Sequence, residues 1–234
     1  LLDGSPQVYD VNIFPSDADH PDGWGTILVV NMRMGGGEFT VRVDEDEDGA
    51  AEDVVIRPSV LIFDVTNPEV EPTLIAELTH PDLGFTLSRP ALIKNRVASP
   101  DDGWTVPITN RWVLVFGSGP TDLDSATSDQ DARVYAYDLN EKEWATDWSS
   151  EPLTVSLESN AFLGDFAAVD WDRDFVDDAV YFGVNTGTSS ASDGQLARMR
   201  LRSDVPASWL SGADIDTLFN AQRSVLGAPE GKLD

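Results

Sequence analysis

Short runs of hydrophobic residues, separated by Gly, Pro, Asp and Asn, recur along this chain at a spacing of roughly 75 to 80 residues. Each repeat opens with an apolar stretch after a small or proline residue, at 5–11, 89–93 and 164–169. A nearly continuous hydrophobic run follows, and then a run in which apolar and polar residues alternate. Continuous runs are typical of strands that are buried on both faces, and alternation is typical of strands with one exposed face. The pattern therefore predicts an all-β protein made of repeated antiparallel sheets.

The inner strands of the three repeats can be assigned from this pattern. The continuous runs lie at 24–30, 111–117 and 179–184, and the alternating runs at 60–66, 133–139 and 195–201. A weaker outer strand is indicated at 73–78 and around 144–148. Four antiparallel strands per repeat, with the innermost first and the outermost most polar, are typical of a β-propeller blade. A β-sandwich is the alternative architecture.

These repeats predict one domain over 1–234 that is a partial β-propeller. Blade 1 spans about 5–80, blade 2 about 89–157 and blade 3 about 161–223, and 224–234 would start a further blade. Propellers have about four or more blades, so we expect the remaining sheets to come from residues outside this sequence or from another chain. The segment 215–221 is expected to form a single helical turn.

Blade 1 contains an insertion at 38–58, which is predicted to be a β-hairpin with strands at 39–43 and 54–57. Its tip places carboxylates at the first, third, fifth and ninth positions of a loop, with glycine at the sixth. This spacing is typical of a calcium loop, in which the carbonyl of the seventh residue is a further ligand. It is equally typical of a solvated hairpin tip. The candidate ligands are Asp44, Asp46, Asp48, Ala50 and Glu52.

A second acidic loop has the same spacing at 170–178 and leads into the hydrophobic run at 179–184. Alternate side chains of a tight loop can converge on one hard cation. An EF-hand would continue into a helix and place Glu at the twelfth position, but Tyr181 stands there and a strand is predicted. The pattern favours a strand-flanked Ca2+ loop, with a solvated acidic turn as the alternative. The candidate ligands are Asp170, Asp172, Asp174, Asp178 and the carbonyl of Val176.

Composition excludes several classes of function. The 42 acidic and 15 basic residues give a formal net charge of −27 at pH 7, and such a surface repels nucleic acids and anionic lipids. We therefore expect no nucleic-acid partner. No apolar run approaches the ~20 residues that span a bilayer, so no membrane span is expected. The absence of cysteine excludes disulfides, thiolate metal sites and a cysteine nucleophile.

The sequence offers no evident catalytic constellation. His20 and His80 both lie in turns rich in Asp and Pro and are interpreted as surface histidines. The seven tryptophans lie mostly on strands or at strand starts, which favours a role in packing. We therefore predict that the protein is not an enzyme. A quinone-dependent dehydrogenase, which would combine a tryptophan-rich propeller with calcium, is the less favoured alternative.

Several motifs occur in an order that resembles the C-terminal propeller of the PilY-type type IV pilus tip proteins. The resemblance covers most of the chain outside the inserted hairpin. It is carried by the segments 3–6, 24–30, 35–37, 63–68, 83–85, 112–119, 170–181 and 218–221.

In that family the domain is a modified propeller with an EF-hand-like calcium loop, whose occupancy controls pilus extension and retraction. The resemblance implies the same ligand roles for Asp170, Asp172, Asp174 and Asp178. The family usually has glycine at the sixth loop position and an apolar residue at the eighth, where this chain has Phe175 and Asp177, and Val184 replaces a usual acidic residue.

The resemblance also implies a place in the cell and a set of partners. We expect an extracellular protein at the pilus tip, secreted with a signal peptide that this sequence does not include. Its expected partners are pilin or minor pilin subunits, a host or abiotic surface, and the remainder of its own longer chain. The alternative is a calcium-stapled structural or binding propeller of another surface protein.

Overall fold

The computed structural model describes residues 2–44, 49–97, 109–144, 154–188, 191–201 and 214–222. This part of the chain forms fifteen β-strands and two short 3-10 turns, at Pro21–Gly23 and Arg33–Gly35. The strands are β1 (Gln7–Asn12), β2 (Trp24–Asn31), β3 (Phe39–Val43), β4 (Glu52–Ile56), β5 (Ser59–Asp64), β6 (Thr73–Thr79), β7 (Ala91–Val97), β8 (Thr109–Gly117), β9 (Arg133–Asp138), β10 (Glu143–Trp144), β11 (Thr154–Ser156), β12 (Ala161–Val169), β13 (Ala179–Thr188), β14 (Ala191–Arg200) and β15 (Ile215–Gln222).

The strands form four antiparallel sheets. Sheet one has the order β1-β2-β5-β6, and sheet three has the order β12-β13-β14-β15. Sheet two has the order β7-β8-β9, and both β10 and β11 pair with the outer side of β9. The fourth sheet is the hairpin β3-β4. The predicted fold class, all-β with repeated antiparallel sheets and an inserted hairpin, is confirmed. The predicted start of a further blade at 224–234 lies outside the described residues.

Sheet two lies between two hydrophobic cores. Val113 and Val115 of β8 belong to the core shared with sheet three, whereas Leu114 and Phe116 belong to the core shared with sheet one. All four side chains are at most 1% exposed. Because alternate side chains of a strand point to opposite faces, a strand between two cores must be hydrophobic at every position. This explains the continuous hydrophobic run in the middle of the second repeat.

The predicted helical turn at 215–221 is wrong, because these residues belong to β15. The spacing of Ile215, Leu218 and Phe219 imitates one face of a helix. A β-bulge produces that spacing: Leu196 pairs with Phe219 and Ala197 pairs with Thr217, so Leu218 is an extra residue in the strand. Leu218 and Phe219 are 44% and 49% exposed, so both lie outside the core.

The inserted hairpin pairs Phe39 with Ile56 and Val43 with Glu52, so its second strand begins two residues earlier than predicted. The register places Phe39, Val41, Val54 and Ile56 on one face, because alternate cross-strand pairs share a face. Phe39 and Ile56 are 51% and 37% exposed. The hairpin therefore presents an apolar face that the described part of the protein leaves largely uncovered.

The two histidines, interpreted from the sequence as surface residues, are both partly buried. The side chain of His20 is only 13% exposed and stacks on Phe14 with ring centroids 4.0 Å apart. Its Nδ1 lies 3.0 Å from Asp17 and its Nε2 lies 2.9 Å from Asp64. His80 is half-buried, and its Nδ1 accepts a hydrogen bond from the backbone of Asp82. Both side chains organise turns, which the sequence pattern alone does not reveal.

Burial acts to lower the pKa of His20, but hydrogen bonds to Asp64 and Asp17 and the charges of both carboxylates outweigh it, so the pKa is raised above its ordinary value.

In the segments that the structure describes, no helix has the length and apolar character to cross a membrane.

Candidate metal centre

The acidic loop 170–178 connects β12 to β13 at one end of sheet three. Val169 and Ala179 pair at its base, so the loop is the connection of a β-hairpin and not the start of a helix. The predicted strand-flanked position is what the structure shows. Because both flanking strands belong to a four-stranded sheet, the two ends of the loop are held in fixed positions.

Three of the predicted ligands lie together in this loop. Carboxylate oxygens of Asp170, Asp172 and Asp174 all lie within 4.8 Å of one another. Calcium binds oxygen ligands at 2.3–2.6 Å, so two oxygens on one ion are at most about 5 Å apart. The three carboxylates therefore fit one calcium ion in chemistry and spacing, and further oxygen ligands would be needed to complete its shell.

The backbone of the loop folds around Asp170. Its Oδ1 accepts hydrogen bonds from the backbone N–H groups of Arg173 and Asp174, at 2.6 and 3.2 Å, and its Oδ2 accepts one from Phe175 at 2.9 Å. Asp174 in turn accepts a bond from the N–H of Val176 at 2.9 Å. A carboxylate has about four lone-pair positions, so these bonds orient the side chains and still leave oxygen lone pairs for a cation.

Two residues of the loop have left-handed backbone conformations, Arg173 with φ 66° and Phe175 with φ 68°. Phe175 occupies the sixth position, where calcium loops need glycine for the sharp turn. Its side chain is 78% exposed, so it gains little from packing. The loop thus has the conformation that glycine favours, but it has a side chain at that position.

Asp178 lies at the base of the loop and outside the 4.8 Å group. Its Oδ2 accepts a hydrogen bond from the backbone N–H of Trp171 at 2.7 Å. Its own N–H donates to the carbonyl of Val169, and its carbonyl accepts from Leu201 at 2.8 Å. The described contacts therefore assign Asp178 to closing the loop. Its ligand role and that of the Val176 carbonyl stay predictions.

Asp177 joins the acidic loop to a neighbouring sheet, a contact that the sequence pattern did not identify. Its Oδ2 accepts a hydrogen bond from the backbone N–H of Lys94 at 2.7 Å, and its own N–H donates to the carbonyl of Lys94 at 2.9 Å. Lys94 lies in β7, the innermost strand of sheet two. This reciprocal pair, which we call the loop latch, joins the acidic loop to a second sheet. The available signal was the acidic residue at a loop position that is usually apolar in the resembling family.

Burial raises the pKa of Asp177, and the negative charges of Asp170 and Asp178 raise it further. The backbone N–H and the positive charge of Lys94 oppose this shift but do not cancel it. The acidic loop therefore concentrates negative charge beside a half-buried carboxyl group, and a bound cation would relieve that repulsion.

The tip of the inserted hairpin is described only in part. Oδ2 of Asp44 accepts a hydrogen bond from the N–H of Gly49 at 2.9 Å, and Gly49 has φ 90°. Ala50 is exposed, and Glu52 lies in β4 opposite Val43. The predicted ligands Asp46 and Asp48 lie outside the described residues. Calcium binding at this tip stays a prediction.

No protein-family model matches the chain, and no curated protein matches it. Among solved structures, the chain is similar to the crystal structure of the Pseudomonas aeruginosa PilY1 C-terminal domain, with a TM-score of 0.54 and 20% sequence identity. The match covers 93% of this chain and 36% of that chain. At this identity the likeness shows a PilY1-like, propeller-like fold.

Proposed function

We propose that this chain is the calcium-binding propeller domain of a secreted type IV pilus tip protein. The domain acts through calcium occupancy of the acidic loop and not through catalysis. That occupancy acts on pilus assembly and retraction and on surface adhesion. The observation that carries the proposal is the group of three carboxylates within 4.8 Å of one another on a loop between two strands. The fold shared with the PilY1 C-terminal domain supports the pilus setting.

The loop latch supports a switching role. Without a cation, the carboxylates of Asp170, Asp172 and Asp174 repel one another, so the compact conformation of the loop is less stable. Because Asp177 holds the backbone of β7, a change in the loop acts directly on the innermost strand of sheet two. A loop that is compact when filled and repulsive when empty is an element whose balance an external ion can bias.

The first test is calcium-dependent stability of the purified chain. A ligand present at one hundred times its dissociation constant stabilises a fold by about 2.7 kcal/mol. Scanning calorimetry with calcium and with chelator should show this shift in the parent chain and not in Asp172→Ala or Asp174→Ala. The matched control is Glu69→Ala, which removes an exposed carboxylate far along the chain from the loop. A full calcium shift in both loop variants would refute the site.

The second test is made in a cell that assembles pili with this protein. The chromosomal variant Asp174→Ala should resemble the calcium-free state and alter the number of surface pili or twitching motility. Immunoblots of surface fractions check that export is unchanged. Normal pili and motility at normal surface amounts would count against the switch.

A second candidate function is a calcium-stapled spacer with no switching role. It is favoured by the contacts of Asp177 and Asp178, which clamp the loop to β7 and to Leu201. A spacer role predicts that Asp174→Ala lowers stability in the first test but leaves pili and motility normal in the second.

The less favoured alternative is a quinone-dependent dehydrogenase. Quinone-dependent reduction of a dye by the purified chain tests this alternative.

A further inference from the structure

A small polar pocket of about 120 Å3 lies where the first strands of all three large sheets approach one another. Gly4 and Ser5 precede β1, Arg89 precedes β7, and Asp165 lies within β12, so the pocket lies beside the first strand of each large sheet. Asn31 at the end of β2, Arg33 just beyond it and Leu87 complete the wall. Besides Leu87, the lining residues are Gly4, Ser5, Asn31, Arg33, Arg89 and Asp165.

Two arginines line this pocket, and their side chains form no ion pair with the described residues. Most described arginines lie within 4.0 Å of an acidic side chain, as expected at a net charge of −27; these are Arg42, Arg57, Arg111, Arg133, Arg198 and Arg200. Within the described segments the guanidinium groups of Arg33 and Arg89 form no ion pair. Arg33 is partly buried and Arg89 is exposed, and two guanidinium groups beside one small pocket of a strongly acidic protein suit an anionic group.

The pocket wall is held by backbone contacts. The N–H of Gly4 donates to the carbonyl of Asn31 at 3.0 Å, and a Cβ on Gly4 would lie 2.5 Å from that oxygen. Asn31 is 6% exposed, and its Nδ2 donates to the carbonyl of Ser88. The N–H of Arg33 donates to Oγ1 of the buried Thr86 at 3.0 Å. The segments that carry the pocket are therefore fixed before any ligand binds.

The backbone of Arg89 is bound to β12 from both sides. Its N–H donates to Oδ1 of Asp165 at 2.8 Å, and its carbonyl accepts the N–H of Phe166 at 3.0 Å. These bonds bring the side chains of Arg89 and Asp165 to the same wall. Oδ2 of Asp165 makes no hydrogen bond to the described residues and is able to accept one from a ligand.

We propose that this pocket binds a small monocarboxylate that carries a hydroxyl or ammonium group close to its carboxyl group, as in a sugar acid. Arg33 and Arg89 would donate hydrogen bonds to the carboxylate, in the forked geometry that suits a planar anion. Asp165 would accept from the hydroxyl or ammonium group. Its negative charge disfavours a multiply charged anion such as phosphate. This proposal is independent of the acidic loop and of calcium.

Titration calorimetry of the 234-residue chain tests the proposal with glucuronate as the probe. Glucose is the control that lacks the carboxylate, and inorganic phosphate is the control for binding by negative charge alone. Glucuronate should bind in the presence of chelator as well as calcium, and glucose and phosphate should bind at least tenfold more weakly. Absent glucuronate binding, or phosphate binding of equal strength, would overturn the proposal.

Charge-matched variants locate the site. Arg33→Gln and Arg89→Gln should each weaken glucuronate binding at least tenfold. Arg42→Gln and Arg57→Gln, which make the same charge change on the inserted hairpin, should leave it unchanged. Circular dichroism and thermal unfolding check that every variant is folded, which is expected because the guanidinium groups of Arg33 and Arg89 support no described contact. Equal weakening of glucuronate binding in all four variants would show that net charge alone causes the effect, and it would overturn the site.

The ligand source is distinguished by a second probe. A tetrasaccharide that contains glucuronate should compete with free glucuronate if the sugar acid is presented by a polysaccharide, and it should bind at least as tightly. Binding of free glucuronate alone would instead identify a soluble sugar acid as the ligand. Both results support the pocket, and failure of both probes would overturn it.

Discussion

Phe175 shows how one side chain can oppose a loop that the rest of the sequence favours. Its φ of 68° lies in the left-handed region, and its ring is 78% exposed. A side chain in this conformation costs roughly 1 kcal/mol relative to the right-handed region, and glycine avoids most of that cost. The acidic spacing of the loop could be predicted from sequence, but the strain at Phe175 required the backbone angles.

We expect Phe175→Gly to exceed Phe175→Ala in free energy of unfolding by about 1 kcal/mol, because alanine keeps the Cβ that strains the turn. Both variants remove the exposed ring, so alanine is the matched control. Urea unfolding in the presence of calcium measures the difference. Equal stability of the two variants would show that the turn is relaxed in solution.

His20 gives the protein a contribution to stability that depends on pH. Its pKa is raised in the fold by Asp64 and Asp17, from an unfolded value of about 6.5. Protonated His20 therefore stabilises the fold fully below about pH 6.5, and this contribution is lost as the pH rises through the higher pKa of the folded state.

The expected result is that His20→Asn costs more free energy of unfolding at pH 5.5 than at pH 8.5. Both proteins are unfolded by urea at each pH, so the effects of His80 and the carboxylates largely cancel in the difference. The same loss at both pH values would show that His20 acts only by packing on Phe14.

Among the elements, the hairpin β3-β4 depends least on the rest of the fold. A hairpin of two strands is marginally stable on its own in water, and both of its strands are mostly exposed. Its existence could be predicted from sequence because Phe39, Val41 and Val43 alternate with polar residues. Its register and the early start of β4 could not, because a tip of acidic residues does not fix where pairing begins.

Replacing 39–56 by two glycines should change the free energy of unfolding by less than about 1 kcal/mol, because the hairpin adds little to either core. In contrast, Ile62→Ala should cost about 2 to 5 kcal/mol, because Ile62 is completely buried in β5. Urea unfolding compares the two variants. A loss from the excision as large as that of Ile62→Ala would show that the hairpin packs on the fold in solution.

The same excision tests the second candidate calcium site. Asp44, Asp46, Asp48 and Glu52 are removed together, whereas the acidic loop at 170–178 is untouched. An exposed tip must be ordered when it binds, so its calcium should be held more weakly and lost first. Calorimetric titration should lose the weaker binding event and keep the stronger one. An unchanged titration would exclude the tip as a site.

At the scale of the whole molecule, the repeat of the hydrophobic pattern was sufficient to predict three antiparallel sheets in chain order. The alternation of β8 between two cores explains why: a strand with two buried faces must be hydrophobic throughout, and this requirement is visible in the sequence. Contacts between sheets are different. The loop latch and the pocket depend on which turns face one another, and neither Arg89 nor Asp177 carries that information in its local pattern.

The loop latch also makes one backbone amide a natural reporter of the acidic loop. The N–H of Lys94 is held by the carboxylate of Asp177 and not by a neighbouring strand, so its exchange with deuterium should follow the docking of the loop. Chelation of calcium should speed exchange at Lys94, whereas the amide of Leu114, in the centre of sheet two, should stay protected. Nuclear magnetic resonance could then follow ion occupancy across two sheets without any substitution. Unchanged exchange at Lys94 would mean that the latch stays closed when the ion leaves.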